Sequence, residues 1–126
     1  MTESGGAHAH RVLLVEDDGD VREALAAVLE HEGYPVLEAQ HGRDALDKLR
    51  DADDICLILL DLFMPTMNGW AFREAQVKDP AIAGIPVVVV SAGADLPRHI
   101  AKMGVVAAVA KPIDFDRLLQ LVGQYC

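Results

Sequence analysis

Five short apolar runs recur along this chain with amphipathic segments between them: VLLV (12–15), PVLEA (35–39), ICLILL (55–60), IPVVVV (85–90) and VVAAVA (105–110). Runs this short and this continuous suit strands covered on both faces, where a side chain is buried whichever way it points. Between the first two, Val21, Ala24, Leu25, Val28 and Leu29 share one helical face, and Gly33 supplies a stop. By the same spacing Ala45, Leu46 and Leu49 mark a second helix, and Phe115, Leu118, Leu119 and Val122 the last. A helix is also expected over residues 70–78, although Gln76 falls where a core residue would follow Phe72. Residues 93–104 carry Pro97 inside a helical pattern, which predicts a short helix starting near that proline. Strand and helix alternating five times predict an α/β fold, a doubly wound parallel sheet with helices on both faces.

The 126 residues, 52% of them apolar, suit one compact domain with a sizeable core, expected over residues 11–126 behind a frayed tail, residues 1–10. The formal net charge is −9, and the eleven Lys and Arg are scattered singly. Such a balance repels nucleic acid and anionic lipid, so neither is an expected partner. MTESGGAHAH opens the chain without the features of a signal peptide or an anchor. His8 and His10 form a conceivable metal pair, but in so Gly- and Ala-rich a stretch a frayed terminus is the plainer reading. Cys56 and Cys126 make neither a zinc spacing nor a disulfide framework, which predicts a reduced, cytoplasmic protein.

In open α/β sheets, ligands sit outside the carboxyl ends of the strands. The residues there are Glu16, Asp17 and Asp18 after the first run, Asp61 after the third, Ser91 after the fourth, and Lys111 with Pro112 after the fifth. Glu16, Asp17 and Asp61 would gather three carboxylates, each close pair repelling by about 4 kcal/mol at an effective dielectric of about 20. Lys111 alone does not neutralise them, whereas a hard divalent cation with oxygen ligands does, and magnesium suits one or two carboxylates plus substrate phosphate oxygens. Asp18 and Asp20 read instead as caps of the following helix. Taken singly, Glu16 and Asp17 could be a solvated turn, Ser91 a helix cap and Lys111 a surface charge; it is their coincidence at corresponding strand ends that points to phosphoryl chemistry.

VLLVEDDGDVRE, LILLDLFMPTMNGW, VVVVSAG and VAKP resemble, in order and over residues 11 to 125, the receiver domains of two-component response regulators. The resemblance implies a flavodoxin-like (βα)5 fold with strand order 2-1-3-4-5. It implies that Asp61 accepts a phosphoryl group from a histidine kinase or phosphotransfer protein. It further implies that Asp17, Asp61 and the backbone carbonyl of Phe63 hold Mg2+, with Glu16 acting through water. Ser91 and Lys111 would bind phosphoryl oxygens, the Lys111–Pro112 bond would be cis, and Pro65 and Gly69 would shape the loop under the metal. Receivers usually carry Tyr or Phe three residues before this lysine, and here the position is Ala108, so the aromatic part of the switch is missing.

The expected function is therefore a stand-alone phosphoacceptor, not a dedicated enzyme. It would signal through an unknown downstream protein or relay phosphate, as a monomer or weak dimer. The alternative within the family is a degenerate receiver that binds without phosphorylation. A haloacid dehalogenase-type phosphatase would need Asp two residues after Asp61, where Phe63 stands. A flavodoxin-like cofactor carrier would need a phosphate loop where residues 16–20 are EDDGD, which would repel phosphate.

Overall fold

Successive residues of a strand point to opposite faces, so each apolar run has to feed two cores at once. In this computed structural model, whose described residues are 10–64, 66–92, 98 and 100–126, the strands are β1 (Arg11–Val15), β2 (Val36–Ala39), β3 (Ile55–Leu60), β4 (Val87–Ser91) and β5 (Ala107–Ala110). All pairings are parallel and the order across the sheet is β2-β1-β3-β4-β5, the expected flavodoxin-like arrangement. The helices are α1 (Gly19–His31), α2 (Gly42–Asp51), α3 (Gly69–Val77) and α4 (Phe115–Tyr125). Arg98 and Ile100 are helical as well, while Pro97 lies outside the described residues, as does all of the expected tail except His10.

Leu13, Val15, Ile58, Leu60, Val87 and Val89 face one core, closed by Leu46 and Leu49 of α2 and Phe72 of α3. Val12, Leu14, Leu57, Leu59, Val88 and Val90 face the other, closed by Leu25 and Leu29 of α1 and Leu118 and Val122 of α4. The strand sequence first steps from β1 to β2 on one side and then to β3 on the other, so the switch point of the sheet lies between β1 and β3.

Polar residues begin the helices where the sequence places them. Asp18 accepts from the backbone N–H groups of Asp20 and Val21, Asn68 from Ala71 and Asp114 from Arg117, while Gly33 takes φ +92° beyond α1. Gln76 occupies the core position that the helical pattern reserves for an apolar residue. It is fully buried because its amide is satisfied: Nε2 donates to the carbonyls of Ile82 and Ile85 at 2.9 and 3.1 Å, and Oε1 accepts from Arg73 Nη1 at 2.7 Å.

The expectation of reduced cysteines is overturned. Cys56 of β3 and Cys126 beyond α4 form a disulfide, with Cα atoms 5.5 Å apart and a sequence separation of 70. Two cysteines so far apart in sequence carry no spacing signal, and only the sheet brings them together. On the chain-entropy account a closed loop of that length stabilises the fold by about 4 kcal/mol.

The loop from Asp61 to α3 is held by close backbone contact. Gly69 N–H donates to the Leu62 carbonyl at 2.9 Å, Gly42 N–H to the Met67 carbonyl at 3.2 Å, and Thr66 takes φ +68°. A Cβ at Gly69 would lie 2.8 Å from both the Asp61 carbonyl oxygen and Leu62 Cα, closer than real contacts allow. Gly69→Ala should therefore destabilise the protein by about 1–3 kcal/mol through overpacking. Gly84→Ala, whose new methyl meets nothing within 4 Å, should stay within about 0.5 kcal/mol of wild type. Urea denaturation compares them, and equal stabilities would mean that the loop yields freely.

At the other end of the sheet, Arg11 forms a bidentate pair with Asp54, Nε–Oδ2 2.7 Å and Nη2–Oδ1 2.9 Å, about a third exposed. The hydrogen bond from Arg11 lowers the Asp54 pKa below the ordinary aspartate value. Because the folded pKa is the lower one, the contribution is present above the unfolded pKa and is lost as pH falls through the folded one. Asp54→Asn should cost about 0.5–1 kcal/mol near neutral pH, and the difference should vanish in acid. A difference that persisted at the acid end of a denaturation series would assign it to packing instead.

Candidate functional site

The ladder of the sheet continues into the residues just past the strands. Glu16 N–H donates to the Ala39 carbonyl, Asp61 N–H to Val15 and Lys111 N–H to Ser91, each at 3.1 Å. These bonds fix the backbone of Glu16, Asp61 and Lys111 to neighbouring strands on either side of the switch point. Ligand oxygens of Glu16, Asp17 and Asp61 consequently all lie within 4.8 Å of one another. Glu16 is 2% exposed, Asp61 6% and Ser91 0%, while Asp17 stands at the open rim.

Buried carboxylates need donors, and each oxygen here has an identifiable one. Lys111 Nζ donates to Glu16 Oε1 at 2.8 Å and to Asp61 Oδ2 at 3.4 Å. The Asp18 N–H donates to Glu16 Oε2 at 3.2 Å, while Ser91 Oγ and Phe63 N–H both reach Asp61 Oδ1 at 3.2 Å. Burial works against the Lys111 ammonium, but its hydrogen bond to Glu16 and the charges of Asp61 and Glu16 outweigh this and raise its pKa, so it stays cationic at neutral pH. Partial desolvation and the hydrogen bond with Glu16 push the Asp17 carboxyl up.

Glu16, Asp17, Asp61, Ser91 and Lys111, drawn from four strand ends, thus meet in one pocket, and the Lys111–Pro112 bond beside them is cis. Ala108 lies away from this cluster, paired with Val89 and packed against the core on the α2–α3 side. Pro65 lies outside the described residues. Asp18 belongs to α1 as its cap, with Asp20 in the first turn. Two contributions were not foreseen. Arg22, one turn into α1, donates from Nη1 to the Glu16 carbonyl at 2.9 Å and from Nε to Glu38 at 3.2 Å, bracing the acidic segment from behind. Phe63, 53% exposed, meets Trp70 edge to face at 5.3 Å, which joins the loop after Asp61 to the first turn of α3. A long side chain that crosses between elements leaves no local signal; the Phe63–Trp70 spacing was readable only as proximity in sequence.

The donor set is hard oxygen around a net negative pocket, which fits a magnesium ion. Both oxygens of Glu16 are already engaged, whereas Asp17 stands at the open rim.

The family of response regulator receiver domains matches residues 12–123. The protein PilH of Pseudomonas aeruginosa is 30% identical over 115 residues, which are 89% of this chain and 93% of that protein. The transcriptional regulatory protein GlrR of Escherichia coli is 33% identical over 114 residues, but this chain spans only about a quarter of its length. Among solved structures, a response regulator receiver protein from Pseudomonas putida superposes with a TM-score of 0.85 at 29% identity, covering 91% of this chain and 96% of that one. The chemotaxis protein CheY4 of Vibrio cholerae superposes with a TM-score of 0.82 at 25% identity, covering 93% and 98%. Receiver domains are signalling modules of two-component systems that bind magnesium in an acidic pocket and interact with histidine kinases and downstream targets, and this chain belongs to the response regulator receiver family.

Proposed function

We propose that this chain is a phosphoacceptor that takes a phosphoryl group from a phosphohistidine of a histidine kinase or phosphotransfer protein onto Asp61. The observation that carries the reading is the Asp61 carboxylate itself. It is almost buried, with the Ser91 hydroxyl on one oxygen and the Lys111 ammonium near the other, beside two further carboxylates. Three acids around one base leave an excess of like charge that opposes folding unless a cation offsets it. An Asp61 oxygen attacks phosphorus in line, the P–N bond to the imidazole breaks, and the imidazole leaves with its electron pair. Lys111 keeps its charge toward the oxygens that gain negative charge, and Ser91 turns its hydrogen bond from the carboxylate to the acyl phosphate. Water attacking phosphorus then releases inorganic phosphate and restores Asp61, so the modification is timed.

Asp17, Asp61 and the Phe63 carbonyl would hold magnesium, with Glu16 acting through water. When bound, the ion offsets the charge of the acidic cluster and of the phosphoryl oxygens. Glu16 is suited to that indirect place, since its oxygens hold Lys111 and the Asp18 N–H. Output passes to a downstream protein, in keeping with a net charge of −9 that disfavours nucleic acid. Ala108 offers no ring to reorient on β5, so the change at Ser91 passes through the backbone that follows it. Among the described residues no helix is long and apolar enough to cross a membrane.

With acetyl phosphate and magnesium, intact-mass spectrometry should show one added phosphoryl group, lost on omitting magnesium and absent from Asp61→Asn. Equal labelling of wild type and Asp61→Asn would overturn the assignment. Trp70, edge to face with Phe63 beside the site, should report magnesium by fluorescence titration. Asp17→Ala should weaken binding more than about ten-fold, and Glu16→Ala by less. Wild-type affinity in both variants would mean that the metal lies elsewhere.

A further inference from the structure

Strict alternation along β3 would turn Cys56 to the same face as Ile58 and Leu60, toward α2 and α3 and away from α4. A bulge prevents this. Arg11 pairs with Ile55 but Val12 with Leu57, so Cys56 is the extra residue of β3. Its side chain joins Leu57 on the α1–α4 face, where it meets Cys126. The β-bulge is therefore what makes the bond possible, turning Cys56 to the α1–α4 face and Ile55 before it to the other, without disturbing the alternation from Leu57 on.

Both cysteines are half-buried, within reach of an attacking thiolate. The reduced form is provided for as well, because Cys56 Sγ lies 3.3 Å from the Arg11 carbonyl oxygen, to which a thiol there can donate. What the bond holds is the end of α4. Leu118 and Val122 are the buried residues of that helix, and Gly123, Gln124 and Tyr125 beyond them are exposed, so the last turn is fastened to the sheet through Cys126. Asp61 lies five residues further along the same strand segment, about 17 Å away at the opposite end.

We propose that Cys56 and Cys126 form a reversible thiol–disulfide switch that determines whether the last turn of α4 is clamped to β3 or free to open. A reducing compartment favours the dithiol and an oxidising one the disulfide. With glutathione disulfide as oxidant, one cysteine thiolate attacks a glutathione sulfur, the S–S bond breaks, and the first glutathione leaves as a thiolate that takes up a proton. The second cysteine, as its thiolate, attacks the protein sulfur of this mixed disulfide and releases the second glutathione. Two electrons pass from the protein thiols to glutathione disulfide.

The test uses the wild-type chain equilibrated in glutathione buffers of graded ratio, followed by thiol trapping, intact mass and peptide mapping. The expected result is a single transition that removes two trappable thiols and links the peptides containing Cys56 and Cys126. Amide hydrogen exchange over residues 121–126 should be about ten-fold or more faster in the reduced form, at times when residues 57–60 are still protected in both forms. Cys126→Ser should exchange like the reduced wild type in every buffer. Stable mixed disulfides in place of the internal bond, or identical exchange of residues 121–126 in the two wild-type forms, would overturn the switch. No step involves phosphorylation, so the outcome is independent of the role proposed for Asp61.

Discussion

The structure is organised around a charge imbalance at the carboxyl end of the sheet: three carboxylates stand against one ammonium. Near-complete burial of Glu16 and Asp61 removes the water that would screen them, so the protein has to supply the compensation in fixed form. It does so with Lys111, with the Ser91 hydroxyl and with backbone N–H groups of Phe63 and Asp18, each delivered from a different strand end or the loop after it. The compensation is incomplete, and the remaining negative charge makes the pocket suited to a hard cation. A perfectly neutralised cluster would be more stable and chemically inert.

Holding such a cluster needs a rigid frame, and the two-sided core is that frame. Because Leu13 and Val15 face one core while Val12 and Leu14 face the other, β1 is restrained from both sides, and the same holds for β3 and β4. A one-residue slip in any of these strands would exchange its two faces and move its terminal polar residue out of the pocket. Register is thus specified by packing over whole strands, and the positions of Glu16, Asp61 and Ser91 follow from it.

Much of this was legible in the sequence for a simple reason: strands buried on both faces leave unbroken apolar runs, and a carboxylate at the end of such a run is costly enough to demand an explanation. The cap at Asp18 is equally local, since it bonds to N–H groups within three residues. What escaped depends on three-dimensional coincidence. Gln76 resembles a flaw in a helix until Ile82 and Ile85 fold back to accept its amide. Cys56 sits in a run that alternates without visible interruption, and only the pairing of β1 with β3 shows the bulge that turns it toward Cys126. Composition encouraged the wrong expectation there, because two cysteines without motif spacing ordinarily signify free thiols.

The guanidinium of Arg73 gives α3 a mechanical character. The helix begins at Gly69, hydrogen-bonded to the residue that follows Asp61, and one turn later Arg73 grips the carbonyls of Met103 and Gly104 at 2.8 and 3.1 Å. Since β5 starts only three residues beyond Gly104, the helix works as a strut between the loop under the pocket and the run-in to the edge strand. Both ties are charge-assisted hydrogen bonds, stronger than neutral ones, so α3 and the residues before β5 are held together by directional contacts. The run-in to the edge strand is therefore tied to α3 by hydrogen bonds that do not pass through position 108.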